Sequence, residues 1–438
     1  MKKFMSLISM LLLGGVLFGA GQQDAVPVDV DPVASATEAG TPGAPVQLRA
    51  LIGSWNTMAS SVESRKEYYE QAILAWAEEH PDVYVEIEGI PGGQTAQAMT
   101  KLITAAIAGN PHDFANIDSQ WVGNFHEAGV LSPIDDYLTQ EDKDQFFDFT
   151  KIVTVRDGKQ YNLWAETGLL LYYYNTDYVK VAPRTWDDVF ALNDTLKAEG
   201  IDKDAFLTQG KGAAAAFCLL PSYWAQGAVL FDAADNYRPV FGEGKNRDAM
   251  INSFSFIKEL VDAGAMPSEM IGYDHNELEA EAKADNVASF IAGSWKQGGL
   301  DPEKWEYTSL PSMDGSKSNI YGGWTFGFLA RDKKKLEESV NFVNAVYTSR
   351  DAMADRLPRH GYIPVRKDVF SAEAFKSPFY EVIYKELEVG RARPATSMYP
   401  EVESLIEEAM GKILSGSDVA ETVDEMYSKV VRSYNAKN

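Results

Sequence analysis

The sequence predicts an α/β fold built on a parallel sheet, and three observations carry that prediction. Residues 83–90, VYVEIEGI, alternate apolar and polar side chains as a half-buried strand does. Stretches with apolar residues at helical spacing lie on either side of it: Tyr69, Ile73 and Trp76 before, then Met99, Leu102, Ile103, Ala106 and Ile107 after. A further short apolar run, DFANI, follows the second of these. Strand, helix, strand, helix, strand is the order that crossover connections in a parallel sheet require.

Taken from its start, the chain opens with MKKFMSLISMLLLGGVLFGAGQQD. Two lysines, an apolar stretch from Phe4 to Phe18 and the small residues Gly19 and Gly21 read as a secretory signal peptide over residues 1–21, cleaved after Gly21 or Ala20. The stretch is short for a membrane span. A lipoprotein would need a cysteine here, and this leader has none. The single cysteine, Cys218, excludes an internal disulfide and reads as a small buried hydrophobe. Residues 22–46, rich in proline and small side chains, are expected to form a disordered tether. Order is then expected from QLRALIGSW, where Leu48, Ala50 and Ile52 alternate.

The next helix is expected to start with a capping box, Ser64 with Glu67, and to stop at His80-Pro81. The second ends at Gly109-Asn110-Pro111, and a third begins near Trp121. The run YNLWAETGLLLYYYNTD (161–177) breaks the alternation. Its four apolar residues and three tyrosines in a row suggest a strand buried on both faces. Helices then dominate, as in RTWDDVFALNDTLKAEG and DAMINSFSFIKELVDAG. Strand-like runs return at NVASFIAG and GWTFGFLA, and from Lys333 onward the reading is nearly all helix.

Composition narrows the function. A chain of 438 residues with 45% hydrophobic and 24% charged side chains affords a large core in two or three domain-sized units. The net charge of −24 argues against nucleic acid or an anionic membrane as partner, since both want a basic face. Five scattered histidines have no metal-ligand spacing, and zinc, phosphate-loop and nucleophile-elbow motifs are missing. GEGKNR lacks the third glycine of a dinucleotide fingerprint. SFIK matches a Ser-x-x-Lys pattern only inside an amphipathic helix. No catalytic residue, metal site or cofactor is expected.

What recurs instead is a polar-aromatic segment at the end of an expected strand: GSWN (Trp55, Asn56), DSQW (Asp118, Gln120, Trp121), WAE (Trp164, Glu166), SYW (Tyr223, Trp224), GSW (Trp295), GGW (Trp324) and SMY (Tyr399). Ligands of open α/β sheets sit beyond the carboxyl ends of strands. Aromatic faces suit the C–H faces of a sugar ring, and carboxylates and amides suit its hydroxyls.

Several segments, in order, resemble a known family: AWAEEHPDVYVEI, AAIAGNPHDFANIDSQWVGNFHEAGVLSPIDDYL, GLLLYYYNTDYV, PRTWDDVFAL, ASFIAGSW, GGWTFGFLARDKKKLEESVNFVNAVYT, GYIPVR and ARPATSMYPEV. They are similar to extracellular solute-binding proteins of ABC importers, in the carbohydrate-binding group that includes maltose- and trehalose/maltose-binding proteins. The resemblance implies a two-lobe α/β fold with the ligand cleft between lobes joined by crossing hinge segments. Lobe 1 would comprise 47–170 plus 327–392, and lobe 2 would comprise 175–322 plus 394–438. LLLYYYNTD would be the first crossing, its apolar part in one lobe and its tyrosines passing into the other; GFLARD and ARPATS would be the second and third.

By the same resemblance, Glu166 would hold sugar hydroxyls, Trp295 and Tyr399 would stack on sugar rings, and Tyr223 and Trp224 would lie near another stacking segment. Residues 54–56 and 118–121 would supply first-lobe contacts, and Trp324 a further one. The implied function is binding of a di- or oligosaccharide, without catalysis, and its delivery to an ABC permease. The protein would be a monomer in the periplasm or on the outer face of the cytoplasmic membrane. The alternatives are another solute for the same importer, such as glycerol-3-phosphate or a peptide, and a secreted glycoside hydrolase. A phosphate would draw on Arg391 and Arg393, for which helix-cap or salt-bridge roles are the simpler reading.

Overall fold

The computed structural model describes residues 37–438 other than Gly93 and Asp314, so the expected signal peptide and the tether up to residue 36 lie outside the described residues. The first sheet contains β1 (Thr37–Ala39), β2 (Val46–Gly53), β3 (Val83–Ile90), β4 (Phe114–Asp118) and β5 (Asn162–Gly168). The second contains β6 (Leu170–Asn175), β7 (Ser289–Gly293) and β8 (Trp305–Thr308). The chain then returns to the first through β9 (Asn319–Phe328) and β10 (Gly390–Ala392).

Strand order in the first sheet is β1-β3-β2-β4-β9-β10, with β5 also paired to β9. The expected parallel unit is there: β2 runs parallel to β3 from Val46↔Val83 to Gly53↔Ile90, and parallel to β4. Around it the pairing turns antiparallel, β9 against both β4 and β5, as is common when later strands join a parallel core. Two sequence expectations fail at this end of the chain. Thr37–Ala39, assigned to the tether, pair antiparallel with Val85–Ile87 and extend the sheet edge. The helix α1 (Glu63–Glu79) starts one residue before Ser64 with Val62 at its cap and no side-chain cap bond, so the Ser64–Glu67 capping box does not form. A capping side chain must stand just outside the first turn, and Ser64 is already within it.

Helix α1 buries Tyr68, Tyr69, Ile73 and Trp76, the face expected from its spacing. On α2 (Thr95–Ile107), Met99 and Leu102 are buried, but Ile107 is 68% exposed. Helix α3 (Ala213–Ala225) is apolar nearly all round and buried accordingly, Cys218 included, against α4 (Gly244–Asp262) and α8 (Tyr399–Leu414). Further helices include α5 (His275–Lys283), α6 (Lys333–Val343), α7 (Arg350–Arg356) and α9 (Val419–Lys437). Among the described residues no helix is long and apolar enough to cross a membrane.

The tyrosine run finds a different explanation from the expected one. Strand β6 lies wholly in the second sheet, between β7 (Leu170↔Gly293 through Tyr174↔Ser289) and β8 (Tyr172↔Thr308 through Asn175↔Trp305). The chain passes between sheets at Gly168–Leu170, so Leu170, Leu171 and the three tyrosines belong to one sheet. A central strand covered on both faces favours an unbroken apolar run. The phenols keep their hydroxyls satisfied inside it: Tyr172 donates to Ser289, Tyr173 to the Gly293 carbonyl at 3.1 Å and Tyr174 to Glu306. They are core residues.

Candidate functional site

A cavity of about 320 Å³ lies where strand ends of the two sheets face each other. From the first sheet come Trp55, just beyond β2, Asp118 at the end of β4, Gln120 after it, and Gly322 to Trp324 within β9. From the other side come Trp295, just beyond β7, Ala213, Ala214 and Phe217 at the start of α3, and His275 at the start of α5. Thr95, Gly168, Tyr362 and Arg393 complete the lining.

The aromatic side chains form two groups. Trp55 and Trp324 meet edge to face with centroids 4.9 Å apart. The pairing of β9 with β5 shifts register between Trp324 and Thr325, an irregularity of the kind that re-aims a side chain at a site. Opposite them, Trp295 has Phe217 at 6.3 Å, Tyr362 at 6.1 Å and His275 at 5.3 Å. Two glycines make room for the Trp295 ring: a Cβ on Gly168 would come within 2.5 Å of it and one on Gly293 within 2.2 Å. Burial, seconded by the Lys296 charge, lowers the His275 pKa to about 4, so this imidazole is neutral at pH 7.

The polar part of the lining is organised by one guanidinium. Arg393, 5% exposed, donates to Asp118 Oδ1, to Ser119 Oγ at 2.8 Å and to Gln120 Oε1 at 2.8 Å. On its far side Glu403 of α8 lies 3.9 Å away. Burial pushes the Glu403 carboxyl up to about 8, and Arg393 offsets only part of that cost.

Of the twelve expected site residues, the structure brings Trp55, Asp118, Gln120, Trp295 and Trp324 together around this cavity. The other seven are elsewhere. Glu166 has no exposed surface, and both its oxygens are taken, Oε2 by Arg356 Nη1 at 2.8 Å and Oε1 by Asn56 Nδ2 at 3.0 Å. It is a structural carboxylate, buried because its strand is, and paired because an unpaired buried charge is prohibitive. Asn56 is likewise buried and accepts from Tyr69 at 3.0 Å. Trp164 is fully buried and donates to the Glu166 carbonyl at 2.7 Å. Tyr223 is buried with its hydroxyl on the Val229 carbonyl at 2.7 Å, and Trp224 and Tyr399 are core side chains. Trp121 is half-buried and outside the lining.

The lining residues that sequence reasoning missed carry weak local signals. Phe217 hides in an alanine-rich apolar helix, and Tyr362 lies in the short GYIPVR segment. His275 heads the acidic run NELEAEAKAD, in which no metal-ligand or catalytic spacing marks it. Arg393 reads in the sequence as a helix-cap or salt-bridge residue and does pair with Asp118, but its place at the cavity emerges only when residues 118 and 393 meet. Arg391 donates to the Ala228 carbonyl at 3.1 Å.

Residues 59–353 match the family described as bacterial extracellular solute-binding protein. Over 301 residues, 65% of this chain and 68% of the relative, the sequence is 25% identical to a maltooligosaccharide ABC transporter solute-binding lipoprotein of Streptococcus pneumoniae. The fold is similar to a cyclic α-maltosyl-1,6-maltose binding protein from Arthrobacter globiformis, with TM-score 0.71, 20% identity and coverage of 89% of this chain and 98% of that one. It is also similar to the GacH receptor of Streptomyces glaucescens, with TM-score 0.74, 18% identity and coverage of 88% and 99%. With two thirds of its length matched and the two-lobe fold in common, this chain belongs to the bacterial extracellular solute-binding protein family.

Proposed function

We propose that the cavity binds a short neutral oligosaccharide and that the protein presents it, unaltered, to the membrane permease of an ABC importer. The observation that carries this reading is the composition of the lining. Aromatic rings from both sides, Trp55 and Trp324 against Trp295, Phe217 and Tyr362, flank a small polar group made of Asp118, Gln120 and Arg393. Pyranose rings match such a surface, with apolar C–H faces for the rings and hydroxyls for the polar group. Asp118 and Arg393 offset each other's charge, which favours an uncharged ligand over a phosphate. A hydrolase would need two carboxyl groups across the scissile bond, whereas Asp118 alone among the lining residues has one. The names of the relatives, which concern maltooligosaccharides and a cyclic maltosyl-maltose, support the same ligand class.

In this reading two lobes, one built on the first sheet and one on the second, close on the ligand about the segments that join them, the first of these at Gly168–Leu170. The protein works as a monomer, exported by its signal peptide to the periplasm or the outer face of the cytoplasmic membrane. Thermal melting with a panel of mono-, di- and oligosaccharides, read alongside tryptophan fluorescence, tests the reading. A ligand at one hundred times its Kd adds about 2.7 kcal/mol of stability. Silence across the panel in both readouts rejects sugar as the ligand, and cleaved product in the recovered sugar rejects simple binding.

A further inference from the structure

We propose that Arg393 is a positioning residue for ligand recognition, fixing Asp118 and Gln120 so that the cavity offers one carboxylate acceptor and one amide donor side by side. The inference rests on the oligosaccharide reading above and adds to it how the polar end of the site selects its ligand.

The three groups that Arg393 holds belong to consecutive residues at the end of β4. A guanidinium only donates, so the Gln120 amide must turn its oxygen to Arg393 and its NH2 away. Asp118 gives Oδ1 both to Arg393 and, at 3.3 Å, to the Gln120 backbone N–H. Oδ2 of Asp118 and Nε2 of Gln120 take no hydrogen bond among the described residues. Both side chains line the cavity. The arrangement is thus an acceptor and a donor on side chains two residues apart, each locked through its other atom. A vicinal diol on a pyranose ring supplies the complement, one hydroxyl donating to Asp118 and its neighbour accepting from Gln120. Arg393 is itself fixed by burial and by Phe217, whose ring centroid is 5.9 Å from the guanidinium carbon. Lysine would keep the charge but lose the planar fork that reaches all three residues.

Three variants, Arg393→Lys, Asp118→Asn and the double substitution, test this with maltotriose as probe and with the side-chain NH2 signals of 15N-labelled Gln120 in ligand-free protein. Arg393→Lys is expected to bind about tenfold or more weakly, from the loosened polar pair. The double variant is expected to bind more tightly than the two single losses added together predict, because part of the Arg393 effect runs through Asp118. The single sharp pair of Gln120 NH2 signals is expected to broaden or shift in Arg393→Lys without ligand. Melting curves establish that each variant is folded. Two results overturn the proposal: Gln120 signals unchanged in Arg393→Lys, or affinity losses that add in the double variant. Wild-type protein that ignores maltotriose while its Gln120 signals respond to Arg393→Lys removes the sugar reading and leaves the positioning role standing.

Discussion

Glu166 sits in a strand-end motif that invites assignment to the ligand, and the structure makes it a structural charge, so Glu166→Gln is the most telling substitution. Both Glu166 and Arg356 have no exposed side-chain surface, and they meet at 2.8 Å. Arg356 also donates to the Ala165 carbonyl at 2.9 Å and the Tyr347 carbonyl at 3.2 Å. Glutamine preserves the shape and deletes the charge, leaving a guanidinium that cannot shed its proton. Breaking one side of a buried pair costs about 3–5 kcal/mol. With unfolding entropy near 2 cal/mol/K per residue, a chain of 438 residues loses about 1 °C of Tm per kcal/mol, so a fall of about 3–5 °C is expected. Calorimetric melting reads it. Adding Arg356→Met removes the stranded charge, and the double variant should be more stable than the sum of the single losses predicts, by roughly 1–3 kcal/mol. Sugar affinity, measured below all melting transitions, should stay within about threefold of wild type, a change of less than 1 kcal/mol. A Glu166→Gln variant that melts like wild type yet binds tenfold more weakly would refute the structural role.

Other outcomes follow from the same geometry. Trp295→Ala removes the ring at the centre of the second aromatic group and should cost about 2 kcal/mol or more of binding with little loss of Tm, by titration calorimetry. Gly293→Ala places a Cβ within 2.2 Å of that ring and should weaken binding by displacing it; unchanged affinity would mean the ring's seat is not needed. Glu403, held protonated up to about 8 when folded, favours the folded state fully below pH 4.5, and that advantage fades as pH rises towards 8. Glu403→Gln should therefore gain Tm relative to wild type as pH rises from 5 to 8, and a constant difference would contradict the buried neutral acid. The thiol of Cys218, pushed up by burial, should resist a thiol reagent in native protein and react once denaturant unfolds the chain.

Much of the architecture was legible in the sequence because it is written in local periodicity. Leu48, Ala50 and Ile52, the VYVEIEGI alternation and the Tyr69–Ile73–Trp76 face all obey rules that depend on near neighbours in the chain, and the structure keeps them. The unbroken run LLLYYY announced a strand covered on both faces, and β6 is one. The same local evidence was insufficient at Ser64, where a one-residue shift of the helix start cancels the capping box. It was also insufficient at Thr37–Ala39, whose strand exists because β3 offers it an open edge.

The site divided along the same line. The sequence singles out polar-aromatic segments at expected strand ends, and five of their residues, Trp55, Asp118, Gln120, Trp295 and Trp324, meet around one cavity, whereas Tyr223, Trp224 and Tyr399 lie in helices. It gave no means of separating these from Trp164, Glu166, Tyr223 or Tyr399, which have the same residue types in similar segments. Tertiary structure decided that, because burial and charge pairing depend on partners far away in the chain: Arg356 lies 190 positions from Glu166, and Arg393 lies 275 from Asp118. A carboxylate becomes a structural anchor or a ligand contact according to which arginine reaches it and on which side solvent remains.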